Sequence, residues 1–202
     1  MLQLRTYQTK CVSGVRECFR KLIKAVLLVL PTGGGKTVIF TYIAQQSSIK
    51  KKRVLILVHR VELLRQTSNA LNRFDVEHGM INPAYTPNFN ANVQVASVQT
   101  IIKRLNYLTA VNWVPDVIIV DEAHHATAGS WRKIIEYFPE SKVLGVTATP
   151  IRSDGQGLGR QCGGMFDELI EGPTVAELIE VGFLVKPRVF GPPEKLDLSN
   201  VK

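Results

Sequence analysis

Two short stretches hold the residue types that handle phosphate. The first is Pro31-Thr32-Gly33-Gly34-Gly35-Lys36-Thr37. A glycine-rich turn before a helix start leaves backbone N–H groups facing outward at the positive end of the helix dipole, where phosphate oxygens fit. Lys36 adds a mobile cation for β- and γ-phosphates, and Thr37 a hydroxyl for Mg²⁺. Residues Thr32, Gly33, Gly34, Gly35, Lys36 and Thr37 are therefore the candidate cradle for a nucleoside triphosphate. The strict phosphate-loop pattern has glycine where this chain has Leu30. The second stretch is Asp121-Glu122, directly after Val117-Ile118-Ile119-Val120. An aspartate at a strand end can hold Mg²⁺, directly or through water. A glutamate beside it can take a proton from a water attacking the γ-phosphate. Thr37 and Asp121 are the candidate metal ligands, and Lys36, Asp121 and Glu122 the candidate catalytic groups. His124 and His125 follow. Adjacent histidines are expected to point in different directions, and no further ligand set is spaced to join them, so hydrogen bonding is expected of them rather than metal binding.

The elements that position these residues can be read from apolar runs. Ala25–Leu30 predicts a strand leading into the phosphate loop, and a helix starts at Gly35 or Lys36 and runs to about Ser47. Val54–Val58 is a continuous apolar run, hence a strand buried on both faces. A helix over Val61–Phe74 follows, then a polar loop from Asp75 to Asn92 with room for one short strand. Further strands are expected at Val93–Val95, Val117–Val120 and Val143–Val146, with helices over Gln99–Leu108 and Ser130–Phe138. An amphipathic helix with a basic side precedes it all, ending near Lys24. Alternating strands and helices imply an α/β fold, a mostly parallel sheet with helices on both faces. The polar motifs all fall at carboxyl ends of strands, the rim where such sheets bind ligands. After Pro150, the glycine-rich Arg152–Gly159 reads as a mobile connection. Thr174 and Glu177 form a capping box for a short helix that Gly182 ends. Gly191–Lys202 reads as a linker.

The 202 residues suit one large domain or a domain plus a tail, and 45% hydrophobic residues allow a sizeable core. A net charge of +8 suggests a polyanionic partner, nucleic acid first. Cys11, Cys18 and Cys162 are odd in number and widely spaced, which fits neither a disulfide framework nor a zinc site and suggests reduced thiols in a cytoplasmic protein. The apolar run before the phosphate loop is too short to span a bilayer.

Three motifs in order, Pro-Thr-Gly-Gly-Gly-Lys-Thr (31–37), Asp-Glu-Ala-His (121–124) and Thr-Ala-Thr-Pro (147–150), resemble motifs I, II and III of DEAH-type superfamily 2 helicases. Leu4-Arg5-Thr6-Tyr7-Gln8 resembles a variant of the adenine-reading Q-motif, Leu57–Gln66 motif Ia, and Val95–Thr100 motif Ib. The His-His after Asp-Glu-Ala and Arg-Ser-Asp-Gly after motif III look like the bacterial and phage branch near RadD-type and XPB-type DNA helicases. The resemblance covers residues 2 to 190 and implies a RecA-like P-loop NTPase fold using ATP and Mg²⁺. It implies that His124 joins the catalytic group by coupling the γ-phosphate to motif III, and that Gln8 hydrogen-bonds adenine, with Arg5 and Tyr7 packing near it. It implies that Arg60, Ser97, Gln99 and Thr100 face a nucleic-acid backbone, and that Thr147 and Thr149 link the two sites. Local readings exist beside these: Tyr7 as core, Arg60 as a helix-surface charge, Ser97 and Thr100 as caps.

Relatives of this type resemble tandem RecA-like domains with ATP between them. The second domain supplies arginines from a Gln-x-x-Gly-Arg-x-x-Arg motif, which is not found after Pro150. The expected division is a RecA-like domain over 1–188 and a linker over 189–202 toward a second RecA-like domain. An arginine finger can be worth about 10³–10⁵ in rate. The chain alone is thus expected to bind nucleotide weakly and turn it over slowly, as a monomer. The partner expected is DNA, with RNA possible. Two other readings fit the same motifs: a double-strand DNA translocase that separates no strands, and a non-hydrolysing nucleic-acid-binding module.

Overall fold

The structure, a computed structural model, describes residues 3–125, 129–151 and 155–188. The apolar runs form the strands of one sheet: β1 (Ala25–Val29), β2 (Val54–Val58), β3 (His78–Ile81), β4 (Val93–Ser97), β5 (Val117–Asp121), β6 (Lys142–Thr147) and β7 (Glu168–Glu171). Their order across the sheet is β3-β4-β2-β5-β6-β1-β7, and every pairing is parallel. Parallel strands need crossover helices on the sheet faces, which is why the central strands carry apolar residues at every position rather than at alternate ones.

The two faces are covered by different helices. Val26, Leu28, Ile56 and Ile119 pack with α1 (Thr6–Arg20), α2 (Lys36–Ile49) and α3 (Val61–Arg73). Leu27, Leu55, Ile118 and Val120 pack with α4 (Val98–Ile101), α5 (Leu105–Ala110) and α6 (Gly129–Tyr137). Trp113 and Phe40, each nearly fully buried, are the largest anchors of the two sides. Burying side chains of this size contributes about 1.5–3 kcal/mol each.

Several expectations are corrected. The helix foreseen over Gln99–Leu108 is two short ones, because the chain breaks at Ile102–Arg104 between α4 and α5. α1 ends at Arg20, and Leu22 takes a left-handed conformation (φ 64°) that turns the chain into β1. The strand β7 was not foreseen. Glu168-Leu169-Ile170-Glu171 is a half-exposed edge strand with acidic ends, and it lacks the apolar run of its neighbours. It is held where Asp167 accepts the Ala25 N–H through Oδ2 at 2.9 Å and donates its own N–H to Ala25 O at 2.7 Å.

Arg152, Ser153 and Asp154 lie outside the described residues. The rest of the glycine-rich stretch is tied down instead of forming a loose connection. Gly157 bridges Ile151, Gly159 bridges Phe166, and Leu158 and Phe166 sink into the core beside α6. The helix α7 (Val175–Glu180) has the foreseen capping box: Thr174 Oγ1 accepts the Glu177 N–H at 3.2 Å, and Glu177 Oε2 accepts the Thr174 N–H at 2.7 Å. Gly182 (φ 75°) ends it. The linker foreseen over 189–202 lies outside the described residues. Among those described, no helix is long and apolar enough to cross a membrane.

Candidate nucleotide site and its neighbouring rim

The strand order sorts the motifs along the carboxyl rim. From β4 to β1 the strand ends carry Ser97, His59-Arg60, Asp121-Glu122, Thr147 and the phosphate loop. The loop leaves β1 through Leu30, whose N–H is held by Thr147 O at 2.9 Å. Gly33 and Gly35 both take left-handed conformations (φ 80° and 81°). Gly35 is the N-cap of α2, so the first helical N–H groups, from Lys36 onward, have no acceptor within the helix. A Cβ at Gly35 would overlap Gln8 Nε2, and one at Gly34 would stand 2.9 Å from Pro31 O. The loop is thus a cradle that only glycine backbone leaves open, which fits phosphate oxygens.

Lys36 Nζ donates to Leu30 O at 3.5 Å and lies 3.9 Å from Glu122 Oε1. The phosphate loop and Asp121-Glu122 therefore meet although β6 separates their strands. Glu122 itself has a left-handed backbone (φ 50°), which turns the chain sharply off β5 into the 3₁₀ turn Ala123–His125. A non-glycine residue held there costs on the order of 1–3 kcal/mol, and such strain gathers at functional sites. Asp121 Oδ1 accepts the Glu122 N–H at 3.0 Å. Burial, and then the charge of Glu122, push the Asp121 carboxyl up to about 6. A half-buried carboxylate with a raised pKa beside a second one is a pair in want of a cation. Thr37 and Asp121 line a common cleft of about 440 Å³ between α2 and α3, large enough for a hydrated Mg²⁺. Their oxygens are the donor type this hard cation takes.

His124 joins motif II to motif III. Its Nδ1 is 3.3 Å from Glu122 Oε2 and 3.0 Å from Thr147 Oγ1. The Thr147 hydroxyl donates its one proton to Thr149 O at 2.9 Å and accepts the Thr149 N–H at 3.0 Å. With that proton in use, the His124 Nδ1 must carry the proton between it and Thr147. Burial, and then neighbouring His125, depress the His124 pKa, so the neutral Nδ1–H tautomer is the form held at neutral pH. The result is one continuous chain of contacts, Lys36–Glu122–His124–Thr147–Thr149, across three strand ends.

The amino-terminal residues reach the same loop. Gln8 is buried and its Oε1 accepts the Arg5 N–H at 3.0 Å, while its Nε2 sits against Gly35. Tyr7 donates its hydroxyl to Gly34 O at 2.9 Å. The Arg5 guanidinium stands 4.1 Å over the Phe183 ring, which also lies 5.7 Å from Tyr7. Leu184 Cδ2 would be 2.8 Å from a Cβ on Gly33. Phe183 and Leu184 are a wall that sequence reasoning missed. Nothing in their spacing signals it, because the contact spans the whole chain and depends on β7 docking beside β1.

The rim over β4 and β2 is built differently. Arg60 is exposed at the N-cap of α3. Gln99 is exposed and donates to His59 O at 3.0 Å. Ser97 is fully buried: its hydroxyl donates to Thr100 Oγ1 at 2.9 Å and accepts the Thr100 N–H at 3.3 Å. In this structure Ser97 offers the surface no side-chain atom, and its hydroxyl is the N-cap of α4. The two adjacent histidines do not point apart as foreseen. Their ring centroids are 4.1 Å apart, and His59, just past β2, lies 4.4 Å from His125, both pairs tilted. Among the described residues there is no cluster of three or more His, Cys, Asp or Glu able to hold a metal ion.

Comparison with known proteins agrees with this geometry. A family model described as "Type III restriction enzyme, res subunit" matches residues 1–152. The putative ATP-dependent helicase IRC3 of Saccharomyces cerevisiae is 34% identical over 98% of this chain and 30% of its own length. The DNA 3'-5' translocase XPB2 of Sulfurisphaera tokodaii is 31% identical over 77% of this chain and 33% of its own. The chain thus spans about a third of the length of these relatives. Among solved structures, the UvsW helicase of bacteriophage T4 covers 83% of this chain with a TM-score of 0.65 at 22% identity, a likeness of fold. Family match, sheet order and the contacts joining three motif loops agree: the chain belongs to the ResIII family and has the RecA-like fold of superfamily 2 motor domains.

Proposed function

We propose that residues 1–188 form the ATP-binding first motor domain of a DEAH-type, DNA-directed enzyme, and that residues 189–202 lead to a second RecA-like domain. The observation that carries this is the continuous path Lys36–Glu122–His124–Thr147–Thr149. In this reading Thr32 to Thr37 hold the triphosphate. Thr37 and Asp121 hold Mg²⁺, which supplies charge neutralisation at the phosphates. Glu122 is the general base for water, with Lys36 and His124 fixing its carboxylate. Gln8 reads adenine, and Arg5 packs beside it. Arg60, Gln99 and Thr100 stand toward the nucleic-acid backbone, where hydroxyls and cations position a strand without reading its sequence. DNA is the preferred partner, RNA the alternative, and the protein acts in the cytoplasm as a monomer.

Arginines from the second domain complete the site. Nucleic-acid-stimulated turnover at a normal rate by residues 1–202 alone would refute that part. The test of the whole is ATP turnover by the intact two-domain protein with single- and double-stranded DNA and RNA. Lys36→Ala is expected to lower turnover by at least about 10²–10³-fold, the scale for removing one donor to developing charge. Retained activity would overturn the phosphate-site assignment. The relative named a DNA 3'-5' translocase favours a second reading, a motor that translocates on DNA; we take it in the form of duplex movement without strand separation. Stimulation by blunt duplex equal to that by single strands would select it.

A further inference from the structure

Three imidazoles lie in ring contact across the boundary between the two parts of the rim. His59 follows directly after β2, beside Arg60. Its ring is 4.4 Å from that of His125, tilted by 39°, and His125 is 4.1 Å from His124, tilted by 42°. Hydrogen bonds to backbone carbonyls tie the group at His59 and at the central His125. Gln99 donates its side-chain amide to His59 O at 3.0 Å. His125 donates its N–H to Glu122 O at 2.9 Å, closing the 3₁₀ turn. Nδ1 of His59 is buried and has no hydrogen-bond partner among the described residues, so the ring is placed by its stacking contact. His125 is exposed, and stability alone does not require an imidazole there.

We propose that His59 and His125 are positioning residues that pass the state of the Gln99–Arg60 rim to the Glu122 carboxylate. The proposal rests on the reading that this rim meets nucleic acid and that Glu122 serves hydrolysis. The element able to respond is Glu122 itself. Its left-handed backbone (φ 50°) is a strained well with an extended or right-handed alternative, and leaving that well moves the carboxylate relative to Lys36 and His124. The His125 N–H holds the carbonyl of the same residue. A strand that displaces Gln99 from His59 O releases the His59 end of the stack. The shift reaches Glu122 through His125 by ring contact and by that hydrogen bond. Coupling of this kind needs a two-state element that both sites bias, and in this proposal Glu122 is that element.

The test is ATP turnover by the intact two-domain protein, with and without saturating DNA, for wild type, Lys36→Ala, His125→Ala and His125→Phe. Wild type is expected to be stimulated and Lys36→Ala silent in both conditions. His125→Ala is expected to keep basal kcat and the KM for ATP within about twofold while the stimulation factor drops by about 3–10-fold. His125→Phe keeps a stacked ring and is expected to restore most of the stimulation. Full stimulation in His125→Ala, with an unchanged melting temperature, would overturn the proposal. So would an equal fall of basal and stimulated rates, which would place His125 in hydrolysis itself. Wild type unstimulated by any nucleic acid would overturn both the proposal and the reading of the rim, whereas an active Lys36→Ala would strike only the nucleotide reading.

Discussion

The two parts of the rim differ in how much each side chain is fixed. On β5, β6 and β1, the functional atoms are held by bonds between loops far apart in sequence: Lys36 with Glu122, His124 with Thr147, Tyr7 with Gly34. On β4 and β2 the bracing is sparser: Ser97 bonds only to nearby Thr100, the exposed Gln99 reaches His59 O across the neighbouring strand, and Arg60 is exposed. Phosphoryl transfer depends almost wholly on positioning and electrostatics, so its residues must be cross-braced. Holding a nucleic-acid backbone needs charge and hydroxyls at roughly the right height, and a looser rim suffices.

The comparison breaks most severely at Gly35. Alanine there meets a left-handed φ of 81° and the buried Gln8 amide together. Backbone strain of about 1–2 kcal/mol and a displaced core side chain add to roughly 2–4 kcal/mol of lost stability. The melting temperature of the chain should fall by about 5–12 °C. Fluorescent ATP-analogue binding should weaken more than tripolyphosphate binding, since Gln8 moves with the loop. If alanine leaves both melting and base preference unchanged, the cradle is not as tight as the contacts indicate.

The next effect is smaller and has the opposite sign. Asp121 is an acid whose folded pKa is raised from 3.8 to about 6. Between those values the folded chain holds more protons than the unfolded one, so this group's contribution falls as pH rises through the window and stays lost above it. The shift sets an upper bound of about 3 kcal/mol, and partial solvent access reduces it to about 1–2 kcal/mol. Asp121→Asn keeps the acceptor for the Glu122 N–H and removes the charge. Without divalent cation it should therefore stabilise the chain at pH 7, and the gain should shrink toward pH 4. Denaturant melts of both proteins across that range check it. Equal stability at pH 7 would mean that Asp121 is not held against its charge. His59 and His124 act in the other sense. Their depressed values make the folded state resist protonation, so stability is lost on acidification below about 6.5 in wild type and variant alike.

The braced part of the rim was the more legible in sequence, for a physical reason. A turn that cradles phosphate needs glycine at left-handed positions and Lys-Thr at the helix start, so its chemistry is written in adjacent residues. Asp121-Glu122 is equally local. The buried strands announce themselves as apolar runs, whereas β7 does not, because an edge strand half in solvent has no need of one. Phe183, Leu184 and the His59–His125 contact were illegible because each is made by the strand order, not by spacing. The expectation that adjacent histidines diverge failed because both rings lean into one contact with each other and with His59, which the spacing alone does not signal. Ser97 shows the converse. Its motif setting suggested an outward hydroxyl, but β4 lies deep in the sheet and the residue ends it facing inward.

That inward hydroxyl gives the finest test of the comparison, because Ser97 and Arg60 should fail in different observables. Ser97→Ala removes the N-cap of α4 and leaves the Thr100 N–H without its acceptor. Loss of such a cap costs about 1 kcal/mol, a fall of about 2–4 °C in melting temperature for a chain of this size. Since the hydroxyl has no exposed surface, the slope of log affinity against log salt for an oligonucleotide should not change. Arg60→Ala should leave melting within about 0.5 kcal/mol of wild type, as for an exposed side chain away from any cap bond. If Arg60 meets a phosphate, the substitution should weaken binding alike for all sequences and reduce the salt slope by about 1. A Ser97→Ala chain that keeps its stability but loses salt dependence would reverse the assignment. It would mean that β4 opens when a strand is bound, and that this part of the rim is rebuilt by its ligand instead of being set by the sheet.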